Sequence, residues 1–129
     1  MRILNIGFDK TLAGGAGAGD AVARHRQYGK YLESLDIIVY TTSRESLPVF
    51  QIAPNVTGYP TNSASKLHFL FDAFRIARAV YDKHRYNIVV AQDPFGAGLV
   101  GCWLKKKLGI KLQINFHGDF WDNPHWLSE

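Results

Sequence analysis

Three short stretches of this chain hold residue types that could do chemistry. The first is LAGGAGAGD, residues 12–20, where Gly14, Gly15, Gly17 and Gly19 crowd ahead of a helical pattern. Glycine lets backbone amides approach a ligand closely, and a helix N-terminus favours anionic groups. The stretch is thus either a phosphate cradle or a surface loop that contacts nothing. The second is Gln92-Asp93-Pro94-Phe95. Asp93 can hold a ligand with its carboxylate, or cap the helix that Pro94 opens. The third is His117-Gly118-Asp119, where an apolar strand breaks into polar residues. Asp119, Asp122 and His125 raise the question of a metal. Their spacing matches no helical or strand ligand pattern, so none is expected.

Two familiar phosphate sites do not fit. The dinucleotide fingerprint G-x-G-x-x-G starts directly at the end of a first strand. Here Gly15 and Gly17 fit, but Asp20 stands at the third glycine and Asp9 to Gly14 intervene after Phe8. The second strand ends Tyr40-Thr41-Thr42-Ser43-Arg44, without the acid that would hold a ribose. A P-loop needs Gly-Lys-Ser/Thr, which does not occur.

The elements that position these stretches follow from periodicity. Arg2–Phe8 reads as strand 1. Asp20–Ser34 reads as a helix with Ala21, His25, Tyr28, Leu32 and Leu35 on one face. Asp36–Thr42 is nearly all apolar, as in a strand covered on both faces. Ser43–Pro54 reads as loop, and Val56–Tyr59 as a weak strand. Ser63 or Ser65 then caps a long helix to His84, whose stripe Leu67, Leu70, Phe71, Phe74, Ala77 and Tyr81 reads as core. Asn87–Gln92 is a strand, Pro94–Leu108 a helix ending at Gly109, and Ile110–Phe116 a last strand. Strands alternating with helices predict an α/β, Rossmann-like, doubly wound parallel sheet with helices on both faces. Ligands of such sheets bind outside the carboxyl ends of the strands, at the point where strand order reverses. All three stretches fall on that edge, and the strands ending at Phe8 and Gln92 flank the reversal.

Length and composition agree with one globular domain: 129 residues, 47% hydrophobic and 20% charged. One cysteine, Cys102, rules out an internal disulfide, and no apolar run reaches membrane-spanning length. A cytoplasmic protein is expected. The net charge of +4 admits phosphates, nucleotides or a membrane surface as partners. The densest basic run, Lys105-Lys106-Lys107, is short; it reads first as a helix C-terminus, and no nucleic-acid partner is expected.

Together these segments resemble the N-terminal domain of a GT-B glycosyltransferase of the glycosyl transferase group 1 type, glycosyltransferase family 4. MRILNIGFDKTL resembles the family's first strand, and the glycine-rich loop its first loop. RHRQYGKYLESLDIIVYTTS resembles its first helix and second strand. VVAQDPFGAGLVGCWLKKKLGIKLQINFHGDF is the most specific piece. The resemblance implies a retaining enzyme that moves a sugar from a nucleotide-sugar to a glycan or lipid-linked acceptor. It implies no permanently bound cofactor, the nucleotide-sugar being substrate. It places Gly14, Gly15, Ala16 and Gly17 near the donor phosphates, and gives His117 the role of positioning the transferred sugar. Asp93, Asp119 and Arg24 become acceptor-side candidates, with Arg26 as a further source of positive charge. It makes residues 1–129 a partial N-terminal, acceptor-side domain without the C-terminal nucleotide-sugar domain, and so inactive alone. Lipid-linked acceptors leave a peripheral contact with the inner face of a membrane open. The alternatives are a fragment of a GT-B sugar-nucleotide epimerase and a non-catalytic flavodoxin-like binding module.

Overall fold

The computed structural model of the chain describes residues 1–13 and 19–115. Its six strands are β1 (Arg2–Gly7), β2 (Ser34–Val39), β3 (Phe50–Ala53), β4 (Val56–Pro60), β5 (Ile88–Ala91) and β6 (Lys111–Ile114). The helices are α1 (Gly19–Gly29), α2 (Phe69–His84) and α3 (Gly96–Leu108). The strands lie in the order β3-β4-β2-β1-β5-β6. Every pairing is parallel except that of β3 with β4. The expected Rossmann-like α/β sheet is present. The expected loop at 43–54 is corrected in part: Phe50–Ala53 adds an antiparallel edge strand, so the sheet is mixed. Gly58 makes that pairing close, since a Cβ there would collide with the Phe50 ring.

Alternating residues of the strands feed two cores. Leu4 and Ile6 of β1, Ile38 of β2, and Val89 and Ala91 of β5 pack with Ala73 and Ala77 of α2 and Val100 and Leu104 of α3. Leu35, Ile37 and Val39 of β2 turn to the other face, with Ala21 of α1 and Ile52 of β3. β2 is buried throughout, as its unbroken apolar run predicts. At about 25 cal/mol per Å² of apolar surface, these two layers supply the main driving force for folding.

The helix boundaries shift from the periodic reading for local reasons. α1 ends at Gly29, not Ser34, because the chain must drop onto the sheet there. A Cβ at Gly29 would lie 2.6 Å from Val56 Cγ2. Asn55 fixes the exit, its side-chain amide donating to the carbonyls of Gly29 (2.7 Å) and Leu32 (2.8 Å). Leu32 and Leu35 therefore leave the helical face, Leu35 joining β2, and Tyr28 is exposed. α2 starts at Phe69 after a 3-10 turn over Lys66–His68, and Ser65 supplies no backbone cap; its hydroxyl meets the His68 ring instead. The expected core stripe of α2 is only partly core: Leu67 is 85% and Phe71 67% exposed. α3 starts at Gly96, two residues after Pro94, and ends as expected at Gly109, whose φ of 68° suits glycine.

Candidate functional site

Chain order reverses between β1 and β5. From β1 the chain builds β2, β3 and β4 on one side, then crosses to β5 and β6 on the other. The carboxyl ends of β1 and β5 therefore diverge into a crevice, the position that general topology assigns to a ligand. A cavity of about 650 Å³ occupies it. The connection from β1 to α1 is not a tight turn: a 3-10 turn over Lys10–Ala13 intervenes, as the rejected dinucleotide fingerprint requires.

The floor comes from the α1-facing positions of four strands. Asn5 and Gly7 of β1, Ile37 and Val39 of β2, Gln92 after β5 and Asn115 after β6 line it. Gln92 Nε2 donates to Asn5 Oδ1 at 2.6 Å, across the switch point. Gly7 makes room for this: a Cβ there would sit 3.0 Å from Gln92 Cγ. One wall is α1, which contributes Arg24, His25 and Tyr28. His25 is buried, and its Nδ1 lies 2.8 Å from the Ala21 carbonyl. In the neutral ring that contact puts the proton on Nδ1, leaving Nε2 as an acceptor. Arg26 faces away from Arg24, with its Nε donating to the Ile52 carbonyl at 3.3 Å. Of the two arginines considered from sequence, Arg24 alone lines the cavity.

Asp93 forms the end wall. Its Oδ1 accepts from the Phe95 amide at 2.8 Å and the Ala97 amide at 3.3 Å, so the carboxylate does close the start of α3. Its Oδ2 is buried and has no hydrogen-bond partner among the described residues. Tyr40, which follows β2, is fully buried, and its hydroxyl likewise finds no partner there. Burial, and then the charge of Asp93, push the Tyr40 hydroxyl well above its ordinary value of 10.0. The ring is fixed by stacking on Phe69 (centroids 5.2 Å apart, planes at 10°) and by Phe8 at 4.6 Å.

Asp93 and Arg24, two of the residues singled out from sequence, thus meet at one cavity. Gly14, Gly15, Ala16, Gly17, His117 and Asp119 lie outside the described residues, as do Asp122 and His125. Among the described residues no three His, Cys, Asp or Glu side chains come together as metal ligands. Asn5 and His25 were missed as site residues. Asn5 carried a signal, a lone amide inside the apolar strand RILNIG. His25 carried none, because it falls on the buried stripe of α1. The assembled groups are neutral amides, one imidazole acceptor, one carboxylate and one guanidinium. Such a set suits a ligand with many hydroxyl groups and an anionic part.

The family model for Glycosyltransferase Family 4 matches residues 26–129. No curated protein matches the chain significantly. Among solved structures the chain is similar to sucrose-phosphate synthase from Thermosynechococcus elongatus, with 13% identity and a TM-score of 0.68. That similarity covers 92% of this chain and 33% of the synthase. It is also similar to UDP-GlcNAc 2-epimerase from Methanocaldococcus jannaschii, at 15% identity and a TM-score of 0.52, over 88% of this chain and 31% of the epimerase. The chain thus spans about a third of each, and at these identities the likeness is one of fold. The family match rests on sequence instead, over residues 26–129, from the last turn of α1 through β6, and on it the chain belongs to glycosyltransferase family 4.

Proposed function

We propose that the chain is the acceptor-side domain of a retaining glycosyltransferase that moves a sugar from a nucleotide-sugar to a glycan or lipid-linked acceptor. The observation that carries this reading is the cavity at the switch point, floored by the Asn5–Gln92 amide pair and walled by Asp93, His25 and Arg24. Amides and an imidazole acceptor bind hydroxyl groups without a fixed charge requirement. Asp93 and Arg24 give the site polarity, Asp93 on the acceptor side with Asp119. Family membership favours transfer over the epimerase reading, which the similarity in fold to a UDP-GlcNAc 2-epimerase keeps as the alternative.

The chemistry explains the remaining roles. Breaking a sugar–phosphate bond builds positive charge on the sugar and negative charge on the departing diphosphate. Preorganised donors must meet the latter in a closed, water-poor cleft. In this proposal the backbone amides at Gly14, Gly15, Ala16 and Gly17 serve the diphosphate, and His117 holds the transferred sugar. The donor's nucleotide rests on a second domain, so the chain alone turns over no sugar nucleotide. No permanently bound cofactor takes part, and the reaction belongs at the cytoplasmic side of the cell. Thermal-shift measurements test the proposal, with a panel of nucleotide-sugars and glycan acceptors on the chain and on the full-length protein. Nucleotide-sugars should stabilise the full-length protein, and His117→Ala should remove most of that gain. Stabilisation by NAD but by no nucleotide-sugar would overturn the reading.

A further inference from the structure

We propose that the amino edge of the sheet holds a second site, which takes a small α-amino acid with its ammonium group inward. A cavity of about 350 Å³ opens there, at the edge opposite the switch point, and its lining includes Arg2, Ser34, Asp36, Thr57, Lys83 and His84. The strands bring these polar groups together. Ser34 and Asp36 are two apart on β2, so both point to one face. It is the α2 face, because Ile38 and Tyr40 continue the same alternation into the core beneath α2. Arg2 of β1 stands beside Ser34 in register, and Thr57 of β4 beside Asp36. The last turn of α2 adds Lys83 and His84 to this row. An apolar sheet face thus ends in a polar pocket.

Two groups in this pocket are incompletely met. Ser34 is 8% exposed, and its hydroxyl is buried without a hydrogen-bond partner among the described residues. Asp36 is 2% exposed. The Tyr86 hydroxyl fastens it but brings no charge, and His84 Nδ1 stays 4.0 Å away, beyond a direct hydrogen bond. A buried carboxylate is costly unless an opposite charge meets it. Arg2 does not supply that charge: its Nε donates to Glu33 at 3.0 Å and its Nη1 to the His84 carbonyl at 3.2 Å. The Met1 amine also turns to Glu33, at 3.7 Å. No three metal-ligating side chains converge among the described residues, so the chemistry of the site is not that of a metal centre. An ammonium group fits, because its N–H donors suit a carboxylate and a hydroxyl, here Asp36 and Ser34. At the rim Lys83 is exposed and forms no ion pair among the described residues, so the anionic end of the ligand belongs there. Negative inside and positive outside match a zwitterion, and the volume lies at the small end of ligand sites. This inference does not depend on sugar transfer.

NMR titration of the chain with L-alanine tests it. Saturable shifts are expected at the amides of Ser34, Asp36 and Thr57 and at the His84 ring, with Asn5 and Asp93 at the switch point unmoved. Trimethylating the ligand nitrogen, or replacing the ligand by propionate, should weaken binding at least about tenfold. L-Alaninamide, which lacks the carboxylate, should bind about threefold more weakly than L-alanine. Ser34→Ala should weaken L-alanine binding about fivefold. The same variant should leave the thermal melt unchanged or raise it, since it deletes a buried hydroxyl without a described partner. Lys83→Ala, at an exposed position, should weaken L-alanine binding about threefold and leave L-alaninamide unaffected. Absence of saturable shifts, equal binding of the trimethylated ligand, or a Ser34→Ala variant that melts lower and binds as before would each overturn the proposal. So would shifts confined to residues away from this pocket.

Discussion

The two edges of the sheet each hold an aspartate beside a buried tyrosine, and they treat the pair in opposite ways. At the amino edge Asp36 of β2 is buried and accepts a hydrogen bond from the Tyr86 hydroxyl, with His84 Nδ1 at 4.0 Å. The His84 ring lies nearly parallel to Tyr86, and Arg2 ties the surroundings together by donating to Glu33 (3.0 Å) and to the His84 carbonyl (3.2 Å). At the carboxyl edge Asp93 spends one oxygen on α3. Its other oxygen, and the Tyr40 hydroxyl, have no partner among the described residues. The first pair is a fastening. The second leaves polar atoms unspent at the edge where ligands bind. Buried polar groups ordinarily find partners, so the paired Asp36 reads as a stabilising contact and the unpaired atoms of Asp93 and Tyr40 as candidates for a ligand.

The largest effect should come from breaking the fastening. Tyr86→Phe removes the hydroxyl that Asp36 accepts from and should cost about 2–3 kcal/mol in a urea unfolding experiment. Tyr40→Phe removes a hydroxyl without a described partner and should be neutral or stabilise by about 1 kcal/mol. Equal losses from the two variants would erase the contrast between the edges.

Alkaline unfolding sharpens the same point. Burial first and the Asp36 hydrogen bond second push the Tyr86 hydroxyl far above 10.0, and burial followed by Asp93 does so for Tyr40. Below pH 10 both folded and unfolded states keep these protons. Above it the unfolded chain releases them while the folded one holds them, so stability falls as pH rises. Each buried tyrosine contributes up to about 1.4 kcal/mol per pH unit. Tyr86→Phe and Tyr40→Phe should each make the decline less steep between pH 10 and 11.5, read by circular dichroism.

Asp93→Asn should affect binding more than folding. The amide oxygen still accepts from α3, so stability should change by less than about 1 kcal/mol. On the proposed function, affinity for a glycan acceptor should fall about tenfold, the loss of one charged hydrogen bond. Asp36→Asn should do the reverse, changing stability and leaving affinity alone.

Much of this arrangement was legible in the sequence, for reasons that also explain what was not. The unbroken run of β2 and the Pro94-to-Gly109 frame of α3 are local signals, and they gave the sheet and its switch point. Asp93 could be placed because a residue between a parallel strand and a helix must lie at the carboxyl edge. The antiparallel β3 could not: Phe50–Ala53 is four residues long and is held by pairing with β4, which is not a local property. Leu67 and Phe71 sit at core spacing yet face water, because periodicity reports a face and not what covers it. The Asp36–Tyr86 bond joins residues fifty positions apart, and no local pattern announces it.

The smallest expected effect lies at the carboxyl edge, where two loops are joined by one surface ion pair. Lys10, after β1, bonds the Glu45 carboxylate, which also accepts from the Thr42 amide at 2.9 Å. The Lys10 hydrogen bond first, and the Thr42 bond second, hold the Glu45 carboxyl below its ordinary 4.5. A depressed carboxylate adds stability above the unfolded value and loses it as pH falls through the folded one. Because the pair is solvent-exposed, that contribution should be screened and slight. The readout is therefore titration. By NMR, Glu45 should protonate below 4.5, and Lys10→Ala should return it most of the way. The amino-edge fastening should not respond, so any change in the Tyr86 titration in that variant would show that the two edges are coupled through the sheet.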